Sequence, residues 1–230
     1  MSILRKFIGP IALALSLGQA QAQLHDGDVE MSVVSGKIVV DGHATTQFGT
    51  GFKVFEGDFG DIAGGPFRTD DPGYDSEAGA FLPGTVISYN TVGSLWFWNG
   101  ASWGLAFADS VRLDGNLGEE SFFSGTGNSG ALTGLVGVAA NNGVVHEHLD
   151  MSVLRVGGGV PTTGSYMFQL FLTGTGLTAS DSFLLVLNRG LSEENFEMSV
   201  QALAVPEPGT WLLWMAGVGL IGAITARRRT

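Results

Sequence analysis

Two histidines one residue apart, His146 and His148, are the residues of this sequence best suited to chemistry. Alternate side chains of an extended strand point to the same face, so both imidazoles would project side by side, with Asp150 continuing the row. Imidazole nitrogen and carboxylate oxygen are ordinary ligands of zinc. A stable zinc site needs at least three protein ligands, and His25, followed by Asp26 and Asp28, offers another from near the start of the chain. The metal set expected from the sequence is therefore His146, His148, Asp150 and His25. The plainer reading of the same stretch is a solvated polar strand face with Glu147 or Leu149 turned inward.

Three other stretches invite a chemical reading. Asp70-Asp71-Pro72-Gly73-Tyr74-Asp75-Ser76-Glu77 crowds carboxylates into a turn-rich loop that could coordinate calcium through oxygen. The spacing does not follow the EF-hand, so a solvated acidic loop is the simpler account and calcium the weaker metal candidate. Trp96-Phe97-Trp98 with Trp103 could stack on sugar rings, but strand alternation puts Trp96 and Trp98 on one face, where they most simply fill a core. Gly125 to Gly130 spells GxGxxG, yet it lies among β-turn signals instead of between a strand and a helix, so no nucleotide site is expected. There is no GxSxG elbow, and nothing places a serine, a histidine and an aspartate together. The expectation is a protein that is not an enzyme.

The elements that must position these residues read as β. Val29, Met31 and Val33 alternate with polar residues, as do Phe196, Met198, Val200 and Ala202. Period two marks half-buried strands. Further strands are expected at 52–59, 86–89, 95–98, 144–154, 166–172 and 183–187. Asp41-Gly42, Asn99-Gly100, Asp114-Gly115 and Asn142-Gly143 supply the positive φ angles that tight hairpins require. No stretch between 23 and 205 shows helical periodicity. The expected fold is all-β, an antiparallel β-sandwich of roughly eight to eleven strands, with residues 60–84 as a long surface loop.

Composition narrows the function classes. The chain has 230 residues and no cysteine, which excludes disulfides and thiolate metal or redox chemistry. Lys plus Arg is 11 against 22 for Asp plus Glu, and residues 23–205 alone hold 6 basic and 21 acidic residues. A domain this acidic does not grip nucleic acid by counterion release. The same span holds 30 of the 36 glycines, too many for a helical protein.

The two ends read as processing segments. Arg5 and Lys6, the apolar run from Phe7 to Leu17 and the small residues Ala20 and Ala22 around Gln21 have the order of a secretory signal peptide over residues 1–22, cut after Ala22. At the other end Pro206-Glu207-Pro208 precedes an uncharged stretch from Trp211 to Ala226, and Arg227-Arg228-Arg229 follow at once. A transmembrane helix is expected over 210–226. At about 1.5 Å per residue it reaches about 25 Å, which arginine snorkelling extends toward a hydrocarbon core of about 30 Å. The arginines should stay cytoplasmic, leaving the domain at 23–205 on the far side of the membrane.

The segment 206–230 resembles the PEP-CTERM sorting signal of Gram-negative bacteria, in its Pro206-Glu207-Pro208 tripeptide, short apolar helix and terminal arginines. The resemblance implies an exosortase as partner, transient anchoring in the inner membrane facing the periplasm, and delivery to the cell surface or the exopolysaccharide matrix. A looser resemblance covers Val54-Phe55-Glu56, Thr69 to Gly73, Leu95 to Gly100, the His146-Glu147-His148 strand and Tyr166 to Glu194. These look like a PEP-CTERM family controlled by the zinc-uptake repressor, which implies a role tied to zinc scarcity with His146 and His148 as its paired-histidine strand. The expectation is an exported, non-enzymatic surface protein with zinc as ligand. The alternative is a carbohydrate-binding or adhesive component of the matrix.

Overall fold

The structure is a computed structural model and describes residues 27–41, 46–47, 52–62 and 65–204. The signal peptide expected at 1–22 with Ala20 and Ala22, His25, the Pro206-Glu207-Pro208 signal and the helix expected over 210–226 lie outside the described residues. Among the described residues no helix is long and apolar enough to cross a membrane.

The chain is β-rich, as its alternation predicts. In order it forms β1 (Val29–Val34), β2 (Lys37–Asp41), β3 (Thr46–Gln47), β4 (Lys53–Asp58), β5 (Arg68–Thr69), β6 (Tyr74–Asp75), β7 (Val86–Trp98) and β8 (Trp103–Leu105). There follow β9 (Asp109–Asp114), β10 (Glu120–Ser124), β11 (Gly127–Gly130), β12 (Thr133–Val138), β13 (His146–Glu147), β14 (Met151–Arg155), β15 (Gly164–Gly174), β16 (Phe183–Arg189) and the helix α1 (Glu193–Gln201). The GxGxxG stretch is the turn and second strand of the β10–β11 hairpin, with Ser124 opposite Gly127.

Three sheets, not two, share one hydrophobic core. One runs β13-β6-β1-β2, the second β11-β10-β9-β14-β5, and the third β12-β7-β15-β16-β4-β3 with β8 on β7. Met31 and Tyr74 from the first, Val111, Phe123 and Val153 from the second, and Tyr89, Tyr166 and Phe168 from the third belong to a single buried cluster. The rings of Phe123 and Phe168 meet at 4.3 Å between centroids.

Two features correct the antiparallel, helix-free expectation. β1 pairs parallel with β6, and β4 parallel with β16. Each parallel pair joins segments separated by a long stretch of chain, so no tight hairpin dictates their direction. The alternating stretch from Phe196 to Ala202 is helical, because Phe196 and Val200 lie one helical turn apart and bury the same face, while Met198 is 44% exposed. Glu193 and Glu194 in the first turn suit the positive end of the helix dipole. Phe196 and Val200 pack against Val54, Met167 and Val186 on the face of the third sheet away from the main core. β15 and β16 are thus buried on both faces, which explains their nearly unbroken apolar runs.

The stretch 144–154, expected as one strand, is two. β13 belongs to the first sheet and β14 to the second, and His148, Leu149 and Asp150 cross between them. Val145 and Leu149 are the core anchors of this crossing, at 2% and 1% exposure. They leave the histidines at the surface.

Candidate metal centre

The centre is built on the register of three short strands. β6 lies between β1 and β13, and Asp75 stands opposite Glu30 on one side and His146 on the other. One residue further along, Tyr74 faces Val29 and Glu147. Just beyond the paired residues come Asp28, Gly73 and His148. The alignment is sustained there by Val29 N–H donating to the Gly73 carbonyl at 2.9 Å and Gly73 N–H donating to Asp28 Oδ1 at 2.8 Å. Asp28 and His148 therefore flank a residue with no side chain, and Asp71 enters from the loop leading to β6. One ligand-type atom from each of Asp28, Asp71 and His148 lies within 4.8 Å of the other two.

Two glycines make this approach possible. A Cβ on Gly73 would stand 2.7 Å from His148 Cε1 and 2.8 Å from its Nδ1, so the imidazole occupies the space of the missing side chain. A Cβ on Gly57 in β4 would stand 2.4 Å from the Asp71 carbonyl oxygen. Segment 70–73 is thus held between β4 and the His148 ring. His148 Nδ1 lies 3.1 Å from the Asp70 carbonyl oxygen. A carbonyl only accepts, so Nδ1 is the donor in this contact. This is the usual outer contact of a metal-ligating histidine.

The site is strongly acidic. The Asp71 carboxyl is pushed above the usual aspartate range, first by partial burial, then by the carboxylates of Asp28 and Asp61 and more weakly that of Asp70, with His148 opposing. Thr69, fully buried, donates to Asp61 Oδ2 at 2.7 Å and accepts from Asp71 N–H at 3.0 Å, which fixes the loop. A cavity of about 320 Å³ lies alongside, lined by Glu56, Gly57, Asp58, Asp61, Asp71, Glu193 and Phe196. Two carboxylates and an imidazole brought this close by long-range pairing can hold a divalent cation. Ligand atoms around tetrahedral zinc lie about 3.3 Å apart, so the three groups would need to close by no more than about 1.5 Å to hold such an ion.

The residues expected from the sequence are distributed as follows. His146 and His148 come together, with ring centroids 5.3 Å apart at 74°, although only His146 lies on a regular strand. Asp150 turns to β5, where its Oδ2 pairs with Arg68 Nη2, and it is not one of the three converging groups. His25 lies outside the described residues. The loop 70–77, expected as a separate acidic stretch, supplies Asp71 to this centre and places Asp75 against His146 Nδ1 at 3.6 Å. Asp28 stood out in the sequence only as a neighbour of His25 and Gly73 only as part of the acidic loop, and Gly57 had no signal of its own. Of the tryptophans, Trp98 is 6% exposed, its ring 5.7 Å from that of Trp103. Trp103 Nε1 donates to the Ser199 carbonyl of α1 at 2.9 Å, and Trp96 is 40% exposed.

Comparison with known proteins yields one finding: residues 204–229 match the PEP-CTERM protein-sorting motif. No curated protein and no solved structure matches the chain. The motif implies export as a membrane-anchored precursor, processing by an exosortase and sorting to the cell surface, so this is a β-rich protein that carries a PEP-CTERM sorting motif at residues 204–229.

Proposed function

We propose that the chain is a non-enzymatic surface protein whose exported β domain binds zinc through Asp28, Asp71 and His148. The observation that carries this reading is the convergence of those three groups within 4.8 Å on a floor that only glycine at 73 permits. The hydrogen bond from His148 Nδ1 to the Asp70 carbonyl supports it, because it orients the other ring nitrogen for a metal. Zinc is favoured over calcium because one of the three donors is imidazole, whereas calcium takes six to eight oxygens. After removal of the signal peptide the domain faces the periplasm, and after exosortase processing it sits at the cell surface or in the exopolysaccharide matrix. Capture of scarce zinc there fits the expected control by the zinc-uptake repressor. The rival reading, a sugar-binding matrix module, draws less support, because Trp98 is buried and Trp103 donates to the Ser199 carbonyl of α1.

The test is calorimetric titration of zinc chloride into the metal-free full-length chain, wild type and Asp28→Asn plus His148→Ala. Saturable one-to-one binding that the double variant loses supports the reading. Equal binding by both, or none by the wild type, overturns it.

A further inference from the structure

We propose a second, metal-independent site at the β5 edge of the second sheet, where Arg68, Arg155 and Ser152 line a cavity that takes the carboxylate of a uronate-type sugar acid. It is separate from the metal centre and stands or falls without it.

The cavity forms where β5 stops short of its neighbour. β5 pairs with only Met151 and Ser152 of β14, and β14 runs on to Arg155. Gly157, Gly158 and Gly159, all with positive φ, then turn the chain, with Gly158 N–H donating to the Arg155 carbonyl at 3.0 Å. Beside this edge lies a cavity of about 330 Å³, whose walls include Arg68, Ser152, Leu154, Arg155 and Pro161. Ligand pockets begin at about 300 Å³, so the space suits a small ring.

Charge is the first argument. Residues 23–205 hold 6 basic side chains against 21 acidic ones, and the arginines among the six are Arg68, Arg112, Arg155 and Arg189. All of these arginines gather here. Ser152 stands opposite Arg68 on β5 and opposite Arg112 on β9, and Arg155 ends the same strand as Ser152. The Arg189 guanidinium lies over the ring of Phe67, which also lines the cavity, at 5.0 Å. Positive charge so concentrated at one edge of an acidic domain favours an anion there.

Unused donors are the second argument, since each guanidinium nitrogen can donate. Among the described residues Arg68 bonds only through Nη2, to Asp150, and its buried Nε has no partner. Arg155 bonds only through Nη1, to Asp109 Oδ1 at 3.3 Å and Thr162 Oγ1 at 2.7 Å, which leaves Nη2 and Nε. Arg112, by contrast, commits both terminal nitrogens to Asp114 and Glu120. Planar forks with donors to spare match a carboxylate. Ser152 is the third argument. It is 5% exposed and lines the cavity, and its hydroxyl has no hydrogen-bond partner among the described residues. The arginines thus select a carboxylate, Ser152 a hydroxyl beside it, and Leu154 and Pro161 the C–H face of a small ring. That combination is a sugar acid, and the tryptophans take no part in holding it.

The test is calorimetry of the metal-free full-length chain with sodium galacturonate, galactose, polygalacturonate and inorganic phosphate. Wild type should bind galacturonate saturably, one to one, and should not bind galactose, which lacks the carboxylate. Polygalacturonate bound at least as tightly per sugar unit assigns the site to a polysaccharide; binding of the monomer alone assigns it to a free sugar acid. Arg68→Gln and Arg155→Gln should each weaken galacturonate about 10-fold or more. Ser152→Ala, which breaks no hydrogen bond within the described residues, should weaken it roughly 2- to 10-fold at an unchanged melting temperature. Lys37→Gln, a positive charge lost elsewhere, should bind as wild type does. Arg155 also holds the buried Asp109, so Arg68→Gln and Ser152→Ala carry the test if Arg155→Gln does not fold. No saturable galacturonate binding by wild type overturns the proposal, as does wild-type affinity in Arg68→Gln or an equal loss in Lys37→Gln. Phosphate bound in preference to galacturonate sinks it too, because the ring would then contribute nothing.

Discussion

Replacing Gly73 with alanine probes the centre without touching a ligand. The new Cβ would lie 2.7 Å from His148 Cε1, 2.8 Å from Nδ1 and 3.0 Å from Nε2. Ordinary van der Waals contact between carbon atoms begins at about 3.5 Å, so the ring must retreat by about 0.7 Å. The ring is only partly buried and can move outward. Its Nδ1 contact to the Asp70 carbonyl, now 3.1 Å, then exceeds hydrogen-bonding range. The backbone itself accepts alanine, since Gly73 is not among the glycines with positive φ. Stability should therefore fall by no more than about 2.6 kcal/mol: overpacking costs about 1–3, and the stiffer unfolded chain returns about 0.4–1. Zinc affinity should fall roughly 10- to 100-fold, the usual effect of losing a ligand's outer support. Calorimetry on metal-free full-length protein reads the affinity, and a thermal melt reads the stability. Gly104→Ala is the control, because a Cβ there meets nothing within 4 Å and its φ is unstrained. Zinc binding by Gly73→Ala at wild-type strength would refute the claim that this glycine seats His148 for a metal.

Asp71→Asn should raise the melting temperature of the metal-free protein at pH 7. The folded-state pKa of Asp71 lies above its unfolded value, so its ionised form opposes folding; stability from this group falls as pH rises through that window, and the gain from the amide should vanish below the unfolded value of 3.8. A gain that persists unchanged at pH 3 would contradict the crowding of carboxylates around it. Phe196→Ala should destabilise the protein by about 3 kcal/mol and shift the fluorescence of Trp103, whose indole bonds to the helix that Phe196 anchors; an unchanged denaturation midpoint would argue against α1 on this face. In cells with an exosortase, intact mass of the mature protein should lack residues 1–22 and the apolar segment after Pro208, and a surface form that retains Trp211 to Arg229 would defeat the sorting assignment.

The parts of this protein that the sequence alone determined are those whose information is contiguous. The sorting motif is recognised as a peptide, so Pro206-Glu207-Pro208, the apolar run and the arginines carry their meaning in linear order, and the match at 204–229 agrees. The β character follows from period two, and one hairpin turn from the Asn99-Gly100 step, where φ is +97° between the paired strands β7 and β8; Asn142-Gly143 turns the chain from the third sheet to the first, and Gly115 does not take a positive φ. His146 and His148 stood out because two residues suffice to show them. What the linear order left undecided is which strands become neighbours. Asp28, Gly73 and His148 are far apart in the chain, and only the flanking of β6 by β1 and β13 puts them side by side. Strand pairing of that range depends on which faces bury together across the core, and no local pattern encodes it. The same holds for α1: Phe196, Met198, Val200 and Ala202 satisfy period two, but the bare outer face of β15 and β16 is covered by Phe196 and Val200 at helical spacing. Asp150 shows the converse, a residue well placed along the chain that Arg68, brought near by β5, draws away. Tertiary pairing decided the candidate metal centre, because the position of each of its residues is set by a neighbour that is distant in sequence.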